Sequence, residues 1–140
     1  MKLIAFLLTL YAAYAVAGEN PCLLCGTWKS NAELTMENLH NADPPLAKRA
    51  REILETKIQW GKLTIEYTAT DARSWTEGDE TPETLHWEPY EIVSSSGNTI
   101  TVRESFQGKE KMTTITIENN CYSVPVWSFG FDEVFCKVTQ

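Results

Sequence analysis

The chain has 140 residues, of which 11% are aromatic, and a formal net charge of −7 at pH 7. This length suits a single domain. The acidic balance repels phosphate backbones, which excludes nucleic acid as a partner. Beyond the N-terminus the sequence has no apolar run near the ~20 residues that a membrane-spanning helix needs, so we expect no stable membrane anchor.

The N-terminus has the pattern of a cleaved secretion signal. Lys2 gives a positive start, Leu3 to Leu10 is almost wholly apolar, and Ala15-Val16-Ala17 fits the rule of small residues at the cleavage site, with Ala13-Tyr14-Ala15 as a second candidate. The apolar run is short for a bilayer span. We therefore predict cleavage near Ala17, which leaves residues 18–140 as one domain in the periplasm or outside the cell.

Four cysteines remain after this cleavage. An even number in an exported protein predicts two disulfides. We predict Cys121–Cys136, because Cys121 opens one strand-like run and Cys136 closes the next, so that a hairpin brings them opposite each other. The second bond is then Cys22–Cys25. The alternative is a bond from Cys22 or Cys25 to the last strand.

A first short strand at residues 26–29 precedes two predicted helices. Ser30 and Glu33 form a capping-box pattern, which places the N-terminus of the first helix at Ser30. Asp43 is a good N-cap, and Pro44 suits the first turn of the second helix. We therefore expect two short helices between the first strand and the next one.

From Gly61 the apolar period changes to two, which predicts strands. Short runs rich in Thr, Val, Ile and aromatic residues alternate with turn signals up to the C-terminus. They cover residues 63–67, 73–77, 86–93, 99–106, 112–117, 122–127 and 133–138.

With the strand at Trp28 the sequence holds about eight strands, and tight turns between consecutive strands indicate an antiparallel meander. The predicted fold class is mostly β: an eight-stranded antiparallel meander barrel with two short helices between strands 1 and 2. Closure of the barrel removes exposed edges. The helices would cover an open end or a flank of the barrel. A sandwich of two sheets is the alternative.

The motif Gly26-Thr27-Trp28 on the first strand, followed by a meander to the C-terminus, resembles the lipocalin and fatty-acid-binding-protein group of calycin barrels. The two helices resemble the fatty-acid-binding branch, whereas the signal and the disulfides resemble a bacterial secreted lipocalin-like protein. The resemblance implies that Trp28 packs across the closed barrel end beside a basic residue near the last strand, for which Lys137 is the candidate. It also implies a barrel that binds a small hydrophobic ligand and has no catalytic residues.

Aromatic side chains on different strands are the candidate walls of a ligand pocket, with core packing as the alternative role. Glu104 is an unusual member of an otherwise apolar strand face, where an unpaired carboxylate is costly to bury. Three roles are open for Glu104: contact with a ligand, pairing with Arg73 inside the barrel, or an outward position at a strand end. The predicted ligand-binding residues are Tyr67, Trp75, Trp87, Glu104, Phe106 and Tyr122.

Patterns for catalysis and metal binding are missing from the sequence. It has no nucleophile-elbow motif and no glycine-rich phosphate loop. Its histidines, His40 and His86, show no zinc-ligand spacing with the cysteines. We therefore expect a binding protein with no enzyme activity, no cofactor and no metal. A hydrolase built on the barrel would have only Glu104 as its candidate buried carboxylate.

The alternative function is a protein-interaction module with a filled barrel, such as an acidic periplasmic inhibitor of a basic enzyme, similar to lysozyme inhibitors. The net negative charge and the acidic stretch 77–91 suit a basic protein partner. A void in the barrel would favour the ligand carrier, whereas a solid core with an exposed acidic loop would favour the interaction module.

Overall fold

The computed structural model describes residues 22–78, 82–106, 108–126 and 129–139. Within these ranges the chain forms eight β-strands and two α-helices, with a short 3-10 helix at Pro82–Thr84. The elements in chain order are β1 Gly26–Ser30, α1 Ala32–His40, α2 Lys48–Thr56, β2 Leu63–Tyr67, β3 Asp71–Thr76, β4 Glu88–Ser96, β5 Thr99–Phe106, β6 Lys109–Thr116, β7 Cys121–Pro125 and β8 Asp132–Lys137.

The eight strands form one antiparallel sheet that curves into a nearly closed barrel. Their order is β6-β5-β4-β3-β2-β1-β8-β7, so the first strand lies beside the last. This arrangement confirms the predicted fold class, with both helices between β1 and β2. The end strands β6 and β7 approach each other but share no ladder of hydrogen bonds, which leaves a seam.

A second weak joint lies between β3 and β4. Only Asp71↔Pro89 and Ala72↔Glu88 are paired across it, whereas β4, β5 and β6 form long hairpins with one another. The later residues of β3 therefore have no partner from β4. The barrel consists of a five-stranded and a three-stranded part, joined at this short pairing and separated at the seam.

Two groups of buried side chains form the core. The larger group fills the barrel: Leu24, Trp28, Tyr67, Tyr90, Ile100, Val102, Ile115, Tyr122 and Phe135. The smaller group lies between the helices and the β7–β8 connection: Leu39, Ala42, Leu54, Val126 and Phe131. Helix α1 packs on β8. The helices thus cover a flank of the barrel next to the last hairpin. No helix in the described ranges has the length and apolar character to cross a membrane.

Both predicted helix starts are wrong. Asn31 caps α1 by accepting a hydrogen bond from the Leu34 N–H at 3.0 Å. Ser30 ends β1 instead, and its hydroxyl donates to Glu133 at 2.6 Å and accepts from the Gly61 N–H at 3.0 Å. The Ser30 hydroxyl is therefore bound to these long-range partners and does not cap the helix.

Helix α2 begins at Lys48, after Ala47, which makes no side-chain cap. The peptide bond before Pro44 is cis and lies in the connection ahead of the helix. Asp43 and Pro44 lie in this connection and do not form the first turn of α2.

Both predicted disulfides are confirmed. Cys121 and Cys136 are direct partners in the β7–β8 ladder, and their Cα atoms are 4.0 Å apart. Cys22 and Cys25 close a tight turn just before β1. Two disulfides indicate an oxidising environment.

Candidate ligand-binding site

Gly26, Trp28 and Lys137 lie together where β1 pairs with β8. Trp28 is 1% exposed, and its Nε1 donates to the Leu24 carbonyl at 2.6 Å. Lys137 is its ladder partner on β8 and holds Nζ 5.5 Å from the Trp28 ring centroid. Gly26 has φ +118°, and a Cβ there would lie 3.1 Å from Lys137 Cε. The positive φ therefore favours glycine at this position, where the lysine stem also approaches closely.

Beside Trp28 lies a cluster of tyrosines. The ring centroids of Trp28 and Tyr122 are 4.9 Å apart, and those of Tyr67 and Tyr90 are 5.5 Å apart, both edge to face. The hydroxyls of Tyr67 and Tyr122 form a buried hydrogen bond of 3.2 Å. This bond satisfies two polar atoms in an apolar core.

Burial raises the pKa of Tyr67 to about 12, with a contribution from the charge of Glu104. Burial also raises the pKa of Tyr122, and Tyr67 and Glu104 add to that effect. Both phenols are therefore neutral at physiological pH and offer the polar handle that tyrosines contribute to ligand pockets.

A cavity of about 400 Å³ lies between β3 and β5, beside the start of β4. It coincides with the weak joint, where β3 runs on without a partner from β4. We call it the β3–β5 cavity. Its lining residues are Ile65, Tyr67, Ala72, Arg73, Ser74, Leu85, His86, Glu88 and Glu104. Of the predicted ligand-binding residues, Tyr67 and Glu104 line it directly.

Glu104 is half-buried and follows two core residues of β5, Ile100 and Val102, at the spacing of a common strand face. Its ladder partners are Tyr90 on β4 and Lys111 on β6. Among the described residues, its carboxylate has no hydrogen-bond or ion-pair partner. Because this carboxylate is not paired within the described residues, its oxygens are open to solvent or to a molecule bound in the cavity.

The hypothesis that Glu104 pairs with Arg73 is wrong, because Arg73 binds Glu66, its ladder partner on β2. Its Nε and Nη2 donate to Glu66 Oε2 at 2.7 and 2.6 Å. Its Nη1 donates to the Pro82 carbonyl at 2.6 Å. The guanidinium thus fixes the connection between β3 and β4 beside the cavity.

The remaining predicted residues divide into three groups. Trp75 and Trp87 surround Arg73, whose guanidinium carbon is 5.9 and 4.4 Å from their ring centroids. These two tryptophans therefore pack against Arg73 and do not line the cavity. Tyr122 reaches the cavity only through its hydroxyl bond to Tyr67. The side chain of Phe106 lies outside the described residues.

Sequence reasoning missed the role of Arg73. The signal that could have found it is the short turn between β2 and β3, whose register places Glu66 opposite Arg73. It also missed Leu85 and His86, which precede β4 and line the cavity without belonging to a strand.

Two other hollows are less suited to a small ligand. A groove of about 590 Å³ follows the seam and is lined mainly by polar side chains such as Thr114, Thr116 and Ser123. An apolar groove of about 390 Å³ lies against Leu54 and Trp60 beside the helices. Glu104 also lines a smaller hollow of about 190 Å³ beside Tyr90 and Arg103, so the β3–β5 cavity is the larger of the two hollows that contain this carboxylate.

Within the described ranges, no three His, Cys, Asp or Glu side chains are grouped so that they could hold a metal ion. No family model, curated protein or solved structure matches the chain.

Proposed function

We propose that this protein is a secreted carrier that holds a small ligand with an apolar body in its barrel. The observation that carries the proposal is the β3–β5 cavity of about 400 Å³. This volume falls in the range of small-molecule sites, which combine apolar walls with a few orienting polar groups. Ile65, Ala72 and Leu85 supply the apolar wall, and Tyr67 and Glu104 supply the polar groups.

Two further features support this proposal. The N-terminal signal pattern and the two disulfides are typical of a protein exported to the periplasm or beyond the cell. The packing of Lys137 on Trp28, beside Gly26, is the arrangement that a lipocalin-like barrel implies. A carrier of this kind needs binding groups but no catalytic machinery.

The cavity favours the carrier over the protein-interaction module. In the acidic stretch that would contact a basic partner, Glu77 pairs with Lys29 at 3.3 Å and Glu91 pairs with Arg103 at 2.8 Å. These internal pairs reduce the negative charge that the stretch offers to another protein.

The test is a titration with a neutral apolar fluorophore, N-phenyl-1-naphthylamine. We expect saturable one-to-one binding by the wild-type protein. Ser74→Trp places a large side chain at an exposed position that lines the cavity, and should weaken binding at least about tenfold. Ser95→Trp is the matched control, because Ser95 is also exposed on a strand but does not line the cavity, and it should bind as wild type does.

Absence of saturable binding by the wild-type protein would contradict the carrier function. Equal affinities of the two tryptophan variants would place the ligand outside the β3–β5 cavity and contradict the proposed site. Native mass spectrometry of protein recovered from its own secretion compartment adds a second readout, because a carried ligand gives extra mass that is lost on denaturation.

A further inference from the structure

We infer that the ligand of the β3–β5 cavity is a small organic cation, an ammonium group on an apolar body, and that Glu104 binds its charge. This inference rests on the proposed carrier function and names the class of ligand. It follows from the charges around the cavity, from the lack of a partner for Glu104, and from the aromatic and hydroxyl groups beside it.

The side chains that line the cavity give it a net negative character. Its one arginine, Arg73, is already bound to Glu66 and to the Pro82 carbonyl. Glu88 and Glu104 are the two carboxylates of the lining, and neither has an ion-pair partner within the described residues. His86 is exposed at the rim. A cation is therefore the charge that this cavity attracts, and an anion would be repelled.

Glu104 is the better placed of the two carboxylates. It is half-buried, whereas Glu88 is exposed. The negative charge of Glu104 also reaches the barrel interior, because it adds to the effect of burial in raising the pKa values of Tyr67 and Tyr122. A ligand ammonium at Glu104 would make a charge-assisted hydrogen bond, which is about twice as strong as a neutral one.

Two further side chains, Tyr67 and Lys111, affect how an ammonium group would bind at Glu104. Tyr67 lines the cavity with an aromatic side chain, and aromatic rings attract cations in ammonium-binding sites. Lys111 is the ladder partner of Glu104 on β6, but it is exposed and makes no ion pair with Glu104 within 4 Å. A lysine ammonium is strongly hydrated on a flexible stem, so a ligand cation with an apolar body can compete with it.

The experiment compares three compounds of similar size by calorimetry: 2-phenylethylamine, which is cationic at pH 7, the neutral 2-phenylethanol, and the anionic phenylacetate. We expect the amine to bind about tenfold to a hundredfold more tightly than the alcohol, and phenylacetate to bind most weakly. Glu104→Gln should lower the affinity for the amine to that for the alcohol and leave the alcohol unchanged.

Two control variants isolate the role of Glu104. Glu91→Gln removes the same charge from an exposed residue on β4 that pairs with Arg103, and should keep the preference for the amine. Lys111→Met removes the cation opposite Glu104 in the β5–β6 ladder, and this variant should bind the amine at least as tightly as wild type does.

The outcomes separate this inference from the proposed function. If the alcohol binds as tightly as the amine, the inference is overturned and the carrier function stands. If Glu104→Gln keeps the full preference for the amine, Glu104 is not the cation site and the inference is overturned. If none of the three compounds binds but the neutral fluorophore does, the inference is overturned and the carrier function stands. If the fluorophore also fails, the carrier function fails with it.

Discussion

Trp28 connects three parts of the molecule through one side chain. Its Nε1 binds the Leu24 carbonyl, its ring packs against Tyr122 in the barrel core, and the Lys137 ammonium lies over its face. Each contact is ordinary in strength, but all three depend on the same buried ring. The segment before β1, the core and the last strand are therefore coupled at this residue.

We predict that Trp28→Ala lowers the free energy of unfolding by about 3–5 kcal/mol, because it empties a large, fully buried volume. Trp28→Phe keeps an aromatic ring but loses the bond to the Leu24 carbonyl, and should cost less than the alanine variant, about 1–2 kcal/mol. Urea unfolding of both variants measures this order. A loss below about 1 kcal/mol for Trp28→Ala would show that the ring is peripheral.

Glu133 predicts a pH dependence of stability. Burial raises its pKa, and the hydrogen bond that Ser30 donates partly offsets the effect. The folded protein thus holds this proton more tightly than the unfolded chain does. The contribution of Glu133 to stability is therefore fully present below the unfolded-state pKa of about 4.3, and it is lost as the pH rises through the folded-state pKa.

Glu133→Gln removes this titration while it keeps an oxygen that accepts from Ser30. We expect the melting temperature of this variant to fall less than that of wild type between about pH 4 and pH 7. Glu37→Gln, at an exposed residue of α1, is the control and should keep the wild-type slope. If all three proteins show the same slope in thermal melts, the raised pKa of Glu133 is contradicted.

At the scale of elements, the β7–β8 hairpin is the part of the barrel that a disulfide cross-links. The bond between Cys121 and Cys136 joins two ladder partners across a separation of 15 residues. The hairpin also packs against α1 through β8, and its connection supplies Val126 and Phe131, two of the five residues of the smaller core group. A constraint on this hairpin therefore acts on both the barrel and the helices.

We predict that replacing Cys121 and Cys136 together by alanine costs about 3 kcal/mol, since a loop of this length loses about that much chain entropy when it is closed. Replacing Cys22 and Cys25 should cost less, because their loop spans only three residues. Denaturant unfolding of the two double variants gives the comparison. The reverse order would show that the turn before β1 is the more important constraint.

The elements also show what the sequence can predict. Alternation of apolar residues identified the strands, and strand ends identified the disulfide at Cys121, because both are local patterns. The start of α1 was misplaced because the Ser30 hydroxyl binds Glu133, which lies 103 residues away. Trp75 was placed on a pocket wall from its residue type alone, but its strand position puts it beside Arg73.

At the scale of the whole molecule, the cavity exists because the two parts of the barrel are joined by only two residue pairs of β3 and β4. No local pattern encodes the length of that pairing, so the sequence predicted Tyr67 and Glu104 as binding residues without predicting where a void would lie. The same short joint leaves space for Leu85 and His86 to form one side of the cavity.

The pairing of β1 with β8 has a mechanical consequence. The two strands run antiparallel, with Trp28 opposite Lys137, so the chain enters β1 and leaves β8 at the same side of the ladder. A pulling force applied through these two segments opens the ladder one hydrogen bond at a time, like a zipper, and does not load all the bonds together in shear. The Cys121–Cys136 bond keeps β8 attached to β7 during this opening.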